Sequence, residues 1–297
     1  MIKRVQVFLQ LLRPKDFLFL VLAYSLLGIT VAQGEFGTRF ILLCAANFCA
    51  VAFSFIFNQL ADAPADTFDE NASSSNPIAQ GKVLPAAAAA AAFVSAALAL
   101  ALFGLLDWRL LPVGLILLAL GALYSSPGTR VRGISMLDLA GHSWLLAPAV
   151  SASGYLAFQP RFTSELLFLL LAVTFLSLLG EITREQSALS KLNTLPARQT
   201  VLNISPRAAR FLILLCSAGA LLSGVILLFF LHALPLRAVI FILICAGILL
   251  IPNLLKLSRQ TDAPLKHLSL YAPLEKAVAL GLLVEYLTSF LIKIISW

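Results

Sequence analysis

Long apolar segments separated by short polar connections dominate this sequence. A run of about 20 apolar residues is the length that crosses a bilayer as a helix. Such segments occur at about residues 16–33, 38–58, 83–106, 110–125, 135–157, 163–182, 208–231, 235–257 and 275–295. Residues 1–15 precede them as an amphipathic segment. The pattern predicts one domain over residues 1–297, an all-α polytopic membrane bundle of about nine transmembrane helices.

The connections between these segments alternate in length, so the longer ones should all emerge on one side of the membrane. The longer, polar connections cover about residues 58–82, 124–134, 182–207 and 257–274. Most Lys and Arg residues lie on that side together with the N-terminus, and few lie on the other. Because cytoplasmic loops are rich in Lys and Arg, we expect the N-terminus and the long loops to be cytoplasmic.

Composition excludes a soluble domain. The chain is 60% hydrophobic and 12% charged with a mean hydropathy of +0.96, whereas soluble domains carry about 25% charged residues. The net charge of +7 is accounted for by membrane topology, and no basic cluster with interleaved aromatic residues predicts a nucleic-acid partner. No feature predicts an obligate protein partner.

The four cysteines, at positions 44, 49, 216 and 245, lie in apolar segments and form no CxxC pair, which favours membrane-buried thiols over disulfides or zinc ligands.

Three oxygen-bearing side chains recur every four residues where the second apolar segment ends. They are Asn58, Asp62 and Asp66, and on a helix this spacing places them on one face. Carboxylate and amide oxygens suit a hard cation such as Mg²⁺, which often also binds phosphate. Pro64 interrupts the pattern, and because proline clashes with the carbonyl four residues back, we expect the helix to kink or end near Leu60.

A second acidic pair closes the sixth apolar segment on the same predicted side. Glu181 and Glu185 are four residues apart, so a helix presents both carboxylates on one face. Two acidic patches on facing helix ends can hold two divalent cations, and cations bridged by a diphosphate make it a better leaving group.

Four basic residues lie on this side as well: Lys82, Arg130, Arg132 and Lys191. Arginine can bind phosphate oxygens in a bidentate manner and lysine acts as a point charge. Membrane topology alone would also place them here, and both interpretations stay open.

At this point several motifs resemble those of the UbiA superfamily of intramembrane prenyltransferases. The segment 58–66 resembles the first signature, NDxxDxxxD, and Glu181–Glu185 stands where the second, DxxxD, is expected. Four further matches are Leu12-Arg13-Pro14 with Gly28, the segment 76–82 (RPxxxGxI), Tyr124-Ser125-Ser126-Pro127 with Arg130 (YSxPPxRxK), and Thr194-Leu195-Pro196 (TLP). The motifs follow in order along most of the chain.

The resemblance implies a helical bundle around a central cavity that is open to the cytoplasmic side. It implies Mg²⁺-dependent transfer of a prenyl group from a polyprenyl diphosphate to a lipid-soluble acceptor, with two Mg²⁺ ions. The implied metal ligands are Asn58, Asp62, Asp66, Glu181 and Glu185. The implied diphosphate-binding residues are Lys82, Arg130, Arg132 and Lys191, and the implied catalytic residues are Tyr124, Arg130 and Lys191.

The chain also departs from the family pattern. Gln59 replaces the second Asp of the first signature, and we expect its amide still to offer an oxygen, without charge. The usual Arg is absent from the loop before Pro77, and the second signature uses Glu for Asp. These differences leave the acceptor, the donor and the use of metal open.

Two other functions remain as alternatives. Some relatives of this superfamily cyclise a prenyl diphosphate without an acceptor. A cation-coupled transporter would place acids near the middle of the membrane on broken helices, whereas most acids here lie at the ends of apolar segments. Glu285 is an exception, since it lies within the ninth segment, where a carboxyl group must find a partner or stay protonated.

Overall fold

The computed structural model describes residues 2–68, 73–126, 146–189, 206–258 and 271–295, and every regular element in these ranges is helical. The α-helices are α1 (Ile2–Leu12), α2 (Pro14–Val31), α3 (Thr38–Asp66), α4 (Pro85–Leu106), α5 (Leu111–Ser125), α6 (Ala147–Phe158), α7 (Ser164–Leu189), α8 (Pro206–Val225), α9 (Leu236–Ser258) and α10 (Tyr271–Ile295). A 3₁₀ turn, Trp108–Leu110, precedes α5, and a π-helical turn, Ile226–Phe230, extends α8.

Seven stretches within the described residues are long and apolar enough to cross a membrane. They are Pro14–Val31, Thr38–Asp66, Pro85–Leu106, Trp108–Ser125, Ser164–Ile182, Arg210–Phe230 and Pro273–Ile295. The eighth predicted segment corresponds to α9, which has a shorter apolar run, Leu236–Leu250. The fifth is described only from residue 146 onward, as α6. The all-helical membrane bundle is therefore confirmed, and the count of nine spans stays a prediction.

Helix α2 lies at the centre of the bundle. In it 56% of the residues are buried, against 17% in α4, and it packs against α3, α6, α7 and α10. Its closest neighbour is α6, because Gly28 and Gly154 face each other with no side chain between the two backbones. Small residues permit this close approach of membrane helices, where dispersion contacts replace the hydrophobic effect as the source of association.

A buried polar network adds to this contact. The Asn47 Nδ2 atom donates to Ser25 Oγ at 2.9 Å, and Ser153 Oγ donates to Asn47 Oδ1 at 2.7 Å. These three side chains are fully buried and come from α3, α2 and α6 respectively. Since each unpaired polar group in an apolar interior is costly, the network fixes the mutual register of the three helices.

Of the two outcomes expected near Leu60, a kink or a helix end, the helix end is wrong, because α3 continues through Pro64 to Asp66; the kink stays a prediction. Pro64 lies close enough to the helix end that it removes only the hydrogen bond to the carbonyl of Leu60. The last turn is closed beyond it, since both the backbone N–H and the Oγ1 of Thr67 donate to the Ala63 carbonyl, at 3.2 and 2.8 Å. The polar residues at this end of α3 therefore share a continuous helix.

We expect the Gly28→Ala substitution to destabilise the bundle, because a Cβ atom there would overlap the Ser151 carbonyl and lie 2.8 Å from the Tyr155 nitrogen. Overpacking against backbone that cannot shift costs about 1–3 kcal/mol. Thermal unfolding of the purified protein in detergent should show a lower melting temperature. Gly224→Ala is the matched control, since Gly224 is also helical and a Cβ there meets nothing within 4 Å. Equal melting temperatures for the two variants would contradict this account of the α2–α6 contact.

Candidate functional site

The polar side chains at the end of α3 form the first part of the site. Asn58, Asp62 and Asp66 are all partly buried and succeed one another by one helical turn. The Asn58 Nδ2 atom donates to Asp62 Oδ2 at 3.1 Å. One amide and two carboxylates are thus aligned along the last turns of a membrane-spanning helix. The partial negative charge of a helix C-terminus adds to theirs, which favours a cation at this position.

The end of α5 contacts this polar face. Ser125 Oγ donates to Asn58 Oδ1 at 3.2 Å, and the preceding residue, Tyr124, is partly buried in the same last turn. The sequence placed Tyr124 and Ser125 in one motif but assigned a role to the tyrosine alone. The structure brings this motif next to the first acidic motif, although the two are far apart in the chain.

Asn76 is a site residue that sequence reasoning missed. It is 2% exposed, and its Nδ2 atom donates both to Asp66 Oδ2 at 2.8 Å and to the Gln59 carbonyl at 2.9 Å. Its Oδ1 atom accepts the backbone N–H of Ile78 at 3.0 Å. Asparagine before proline is typical of turns in which the side chain binds nearby backbone, and this Asn-Pro pair was the available signal. Asn76 therefore orients the Asp66 carboxylate and anchors the following loop to α3.

Gln59 points away from the acidic face, so the expectation that its amide oxygen serves the site is wrong. Its Nε2 atom donates to the Leu11 carbonyl of α1 at 2.6 Å, and the side chain is 3% exposed. Gln59 shares a helix face with Ile56 and Ala63, which pack with Leu11 in one apolar cluster. The physical reason is helical geometry, since adjacent residues project about 100° apart around the axis. Gln59 ties the amphipathic helix α1 to the helix that carries the acidic motif.

The second acidic pair lies on α7. Glu181 is 5% exposed, and the helical backbone continues past Glu185 to Leu189, although the structure does not describe the Glu185 side chain. In the described part of the chain, no three His, Cys, Asp or Glu side chains are close enough together to hold a metal ion. The junction of the two acidic pairs in one metal site consequently stays a prediction.

Among the predicted basic residues, Lys82 is exposed in the connection before α4. Arg130, Arg132 and Lys191 lie outside the described residues. Their contact with a diphosphate remains a prediction from the sequence.

The donor set on α3 is compatible with a hard divalent cation. Its available atoms are carboxylate and amide oxygens, the ligand type that Mg²⁺ prefers. Asp66 is already oriented by Asn76, a neutral donor that restrains the rotation of the carboxylate without adding a positive charge beside it. Orienting partners of this kind are typical of metal-binding carboxylates.

Comparison of the sequence with family models identifies its family. The UbiA prenyltransferase family model covers residues 19–271. No curated protein sequence matches the chain.

Solved structures with the same fold cover nearly the whole chain. A UbiA homologue from Archaeoglobus fulgidus bound to GPP and Mg²⁺ has a TM-score of 0.71 at 20% identity, covering 93% of this chain and 97% of the homologue. The apo structure of a UbiA homologue from Aeropyrum pernix K1 has a TM-score of 0.67 at 16% identity, with coverages of 91% and 98%. A digeranylgeranylglyceryl phosphate synthase has a TM-score of 0.65 at 18% identity, with coverages of 95% and 98%. The helical arrangement is thus shared at low sequence identity.

We expect Gln59→Ala to loosen α1 from the bundle, because the Gln59 Nε2 atom donates to two α1 carbonyls, Leu11 at 2.6 Å and Gln10 at the longer distance of 3.5 Å. Loss of one hydrogen bond worth about 1 kcal/mol should raise amide hydrogen exchange in residues 2–12 roughly fivefold. Mass spectrometry of exchanged peptides measures this directly. Gln59→Asp should act in the same direction, since a carboxylate would face the carbonyl oxygen of Leu11. Gln159→Ala, which removes an exposed glutamine elsewhere, should leave this exchange unchanged. Unchanged exchange in both Gln59 variants would contradict the tether.

Proposed function

Because this chain belongs to the UbiA prenyltransferase family, we propose that it transfers a prenyl group from a polyprenyl diphosphate to a lipid-soluble acceptor. In this reaction the bond between the allylic carbon and the diphosphate oxygen breaks. The diphosphate leaves with the electron pair, and the acceptor forms a bond to the same carbon and loses a proton. The substrates are apolar at one end and charged at the other, which matches an enzyme whose polar site lies at the end of membrane-spanning helices.

The observation that carries this proposal is the alignment at the end of α3. Asn58 and Asp62 are in direct contact, and Asp66 lies one turn further along the same continuous helix. Ionisable residues in membrane-spanning helices are rare and often mark functional sites. Three aligned oxygen-bearing side chains on an acid-poor chain support a site that binds a cation together with a polyanion.

The proposed metal ligands are Asn58, Asp62 and Asp66 on α3 with Glu181 and Glu185 on α7. The A. fulgidus homologue bound to GPP and Mg²⁺ supports the use of a divalent metal. We propose two ions, one held by the ligands on α3 and one by the ligands on α7. Mg²⁺ in this position supplies charge neutralisation of the diphosphate, which makes it a better leaving group.

The remaining site residues act on the diphosphate and on the reacting carbon. Lys82, Arg130, Arg132 and Lys191 are proposed to bind diphosphate oxygens through charge-assisted hydrogen bonds. Tyr124 is proposed to face the allylic carbon or to donate to the leaving group, and its position beside Ser125, which contacts Asn58, supports either role. Arg130 and Lys191 are proposed to stabilise the negative charge that develops as the carbon–oxygen bond breaks.

Asn76 distinguishes this site from the family pattern, which has an Arg in this loop. An arginine would neutralise Asp66, whereas the Asn76 amide donates a hydrogen bond without adding charge. We propose that this keeps the α3 site more negative and strengthens its attraction for a divalent cation. The part of the site that holds the prenyl group must exclude water, since water would react with the allylic carbon in place of the acceptor.

Asp62→Asn and Asp66→Asn should each reduce prenyl transfer at least about a hundredfold, because loss of an orienting contact alone costs ten- to a hundredfold and these residues are proposed ligands. The measurement is diphosphate release by purified protein in detergent with Mg²⁺, a lipid-soluble acceptor pool and prenyl diphosphates of several chain lengths. Asp107→Asn is the matched control. Asp107 accepts the backbone N–H of Arg109 at the connection between α4 and α5, so this variant should stay near wild-type. Near-wild-type turnover in both α3 variants would overturn the assignment of the site.

Product analysis separates transfer from cyclisation. With a prenyl diphosphate alone, we expect little diphosphate release, and addition of a lipid-soluble acceptor pool should restore it with a product whose mass is the sum of prenyl group and acceptor. Rapid release from the donor alone with a cyclic hydrocarbon product would instead establish a cyclase. Cation uptake into proteoliposomes without diphosphate release would establish a transporter.

A further inference from the structure

A mainly apolar cavity with charged residues in its wall lies at the opposite end of the bundle from the acidic site. Its volume is about 620 Å³, and it is bounded by the end of α2, the start of α9 and the last turns of α10. Tyr286 in its wall contacts Phe40, with 5.3 Å between the ring centroids. Phe40 and Asn58 are separated by about 27 Å along α3 at 1.5 Å per residue. The cavity is therefore distinct from the site proposed for prenyl transfer.

Glu285 lines this cavity and is 6% exposed. Its Oε1 atom is 3.3 Å from the guanidinium Nη2 of Arg237 and accepts a hydrogen bond from Ser289 Oγ at 3.0 Å. Its Oε2 atom is buried and has no hydrogen-bond partner in the described chain. One carboxylate oxygen is thus satisfied by protein, and the other is an unpaired, buried atom of a side chain that lines the cavity.

An unsatisfied buried carboxylate oxygen is costly, since a buried acceptor without a donor has lost its hydrogen bonds to water and gained none in return. A ligand that donates a hydrogen bond to Oε2 would recover this energy. A cationic donor fits better than a neutral one, because charge-assisted hydrogen bonds are about twice as strong as neutral ones.

The other charged side chains of the cavity favour an occupant that also carries a negatively charged group. The Arg237 side chain is 57% exposed, so most of its donors are available beside the carboxylate. At the rim, Lys293 Nζ and Glu35 Oε1 form an exposed ion pair at 2.7 Å. The four charged side chains sum to zero, which favours an occupant that carries one positive and one negative group.

The apolar wall indicates that the occupant comes from the bilayer. Phe36 and Phe290 contact each other with 5.4 Å between their ring centroids, and Phe290 and Ile294 remain exposed. Leu291 and Ile292 beside them on α10 are also exposed, and on a membrane-spanning helix such residues face lipid. A headgroup in the cavity would therefore leave its acyl chains against apolar side chains.

We propose that this cavity binds the headgroup of an aminophospholipid, with its primary ammonium donating to Glu285 Oε2 and its phosphate bound by Arg237. The two carbons between these groups allow them to reach neighbouring partners. A choline headgroup carries the same charges but has no N–H to donate. A glycerol headgroup can donate hydroxyl groups but leaves a net negative charge in a cavity that is already balanced.

The test uses the full-length protein in nanodiscs that contain equal parts of phosphatidylethanolamine, phosphatidylcholine and phosphatidylglycerol, followed by gentle delipidation and native mass spectrometry of retained lipid. Phosphatidylethanolamine should be retained about tenfold over phosphatidylcholine, the factor expected for one charge-assisted hydrogen bond. Equal retention of the three lipids, or preference for phosphatidylglycerol, would overturn the proposal. This lipid series depends on no substitution.

Glu285→Gln should abolish the preference, because the amide keeps the shape of the side chain and removes its charge. Glu165→Gln is the matched control, since Glu165 stands in the first turn of α7, outside the residues that line the cavity, and should retain the preference. An unaltered preference in Glu285→Gln would contradict the assigned contact.

Soluble O-phosphoethanolamine distinguishes a lipid from a free metabolite. It should not displace the lipid at equal concentration, and displacement would overturn the bilayer source.

Discussion

The site that we propose depends on α3 remaining helical beyond Pro64. If the helix ended at Leu60, Asp62 and Asp66 would follow an irregular path and would share no face with Asn58. The loss of one backbone hydrogen bond is offset by the closing contacts of Thr67 with the Ala63 carbonyl. Asn76 then holds Asp66 from outside the helix. The continuity of these last turns positions the oxygen atoms that a cation requires.

Buried polar groups in this bundle divide into two kinds. The Ser25–Asn47–Ser153 network pairs both polar atoms of the Asn47 amide with serine hydroxyls inside the core, and such satisfied networks define how helices pack. Glu285 retains an unpaired carboxylate oxygen inside a cavity. A structural role explains the first kind fully. A donor from outside the chain that occupied the cavity would satisfy the second, which is why the proposal for this cavity rests on this atom.

Departures from the family pattern take on physical meaning in this arrangement. Gln59 stands where an aspartate is usual, yet its side chain serves α1 and leaves the acidic face unaffected. Asn76 stands where the family has an arginine nearby, and it orients Asp66 without neutralising it. The fold tolerates these changes, since homologues at 16–20% identity share the helical arrangement over more than nine-tenths of this chain. The substrate is where such differences should matter most.

By itself the sequence determined the helical membrane bundle, the position of most helices and the shared face of Asn58, Asp62 and Asp66. These features follow from the length of apolar runs and from the helical period, which are local properties of the chain. Only the tertiary structure decided that α3 passes Pro64, that Gln59 faces α1, that Asn76 binds Asp66 and that Glu285 pairs with Arg237. Each of these depends on which helix ends meet or on how neighbouring turns close, and local periodicity carries no information about partners that lie far apart in the chain.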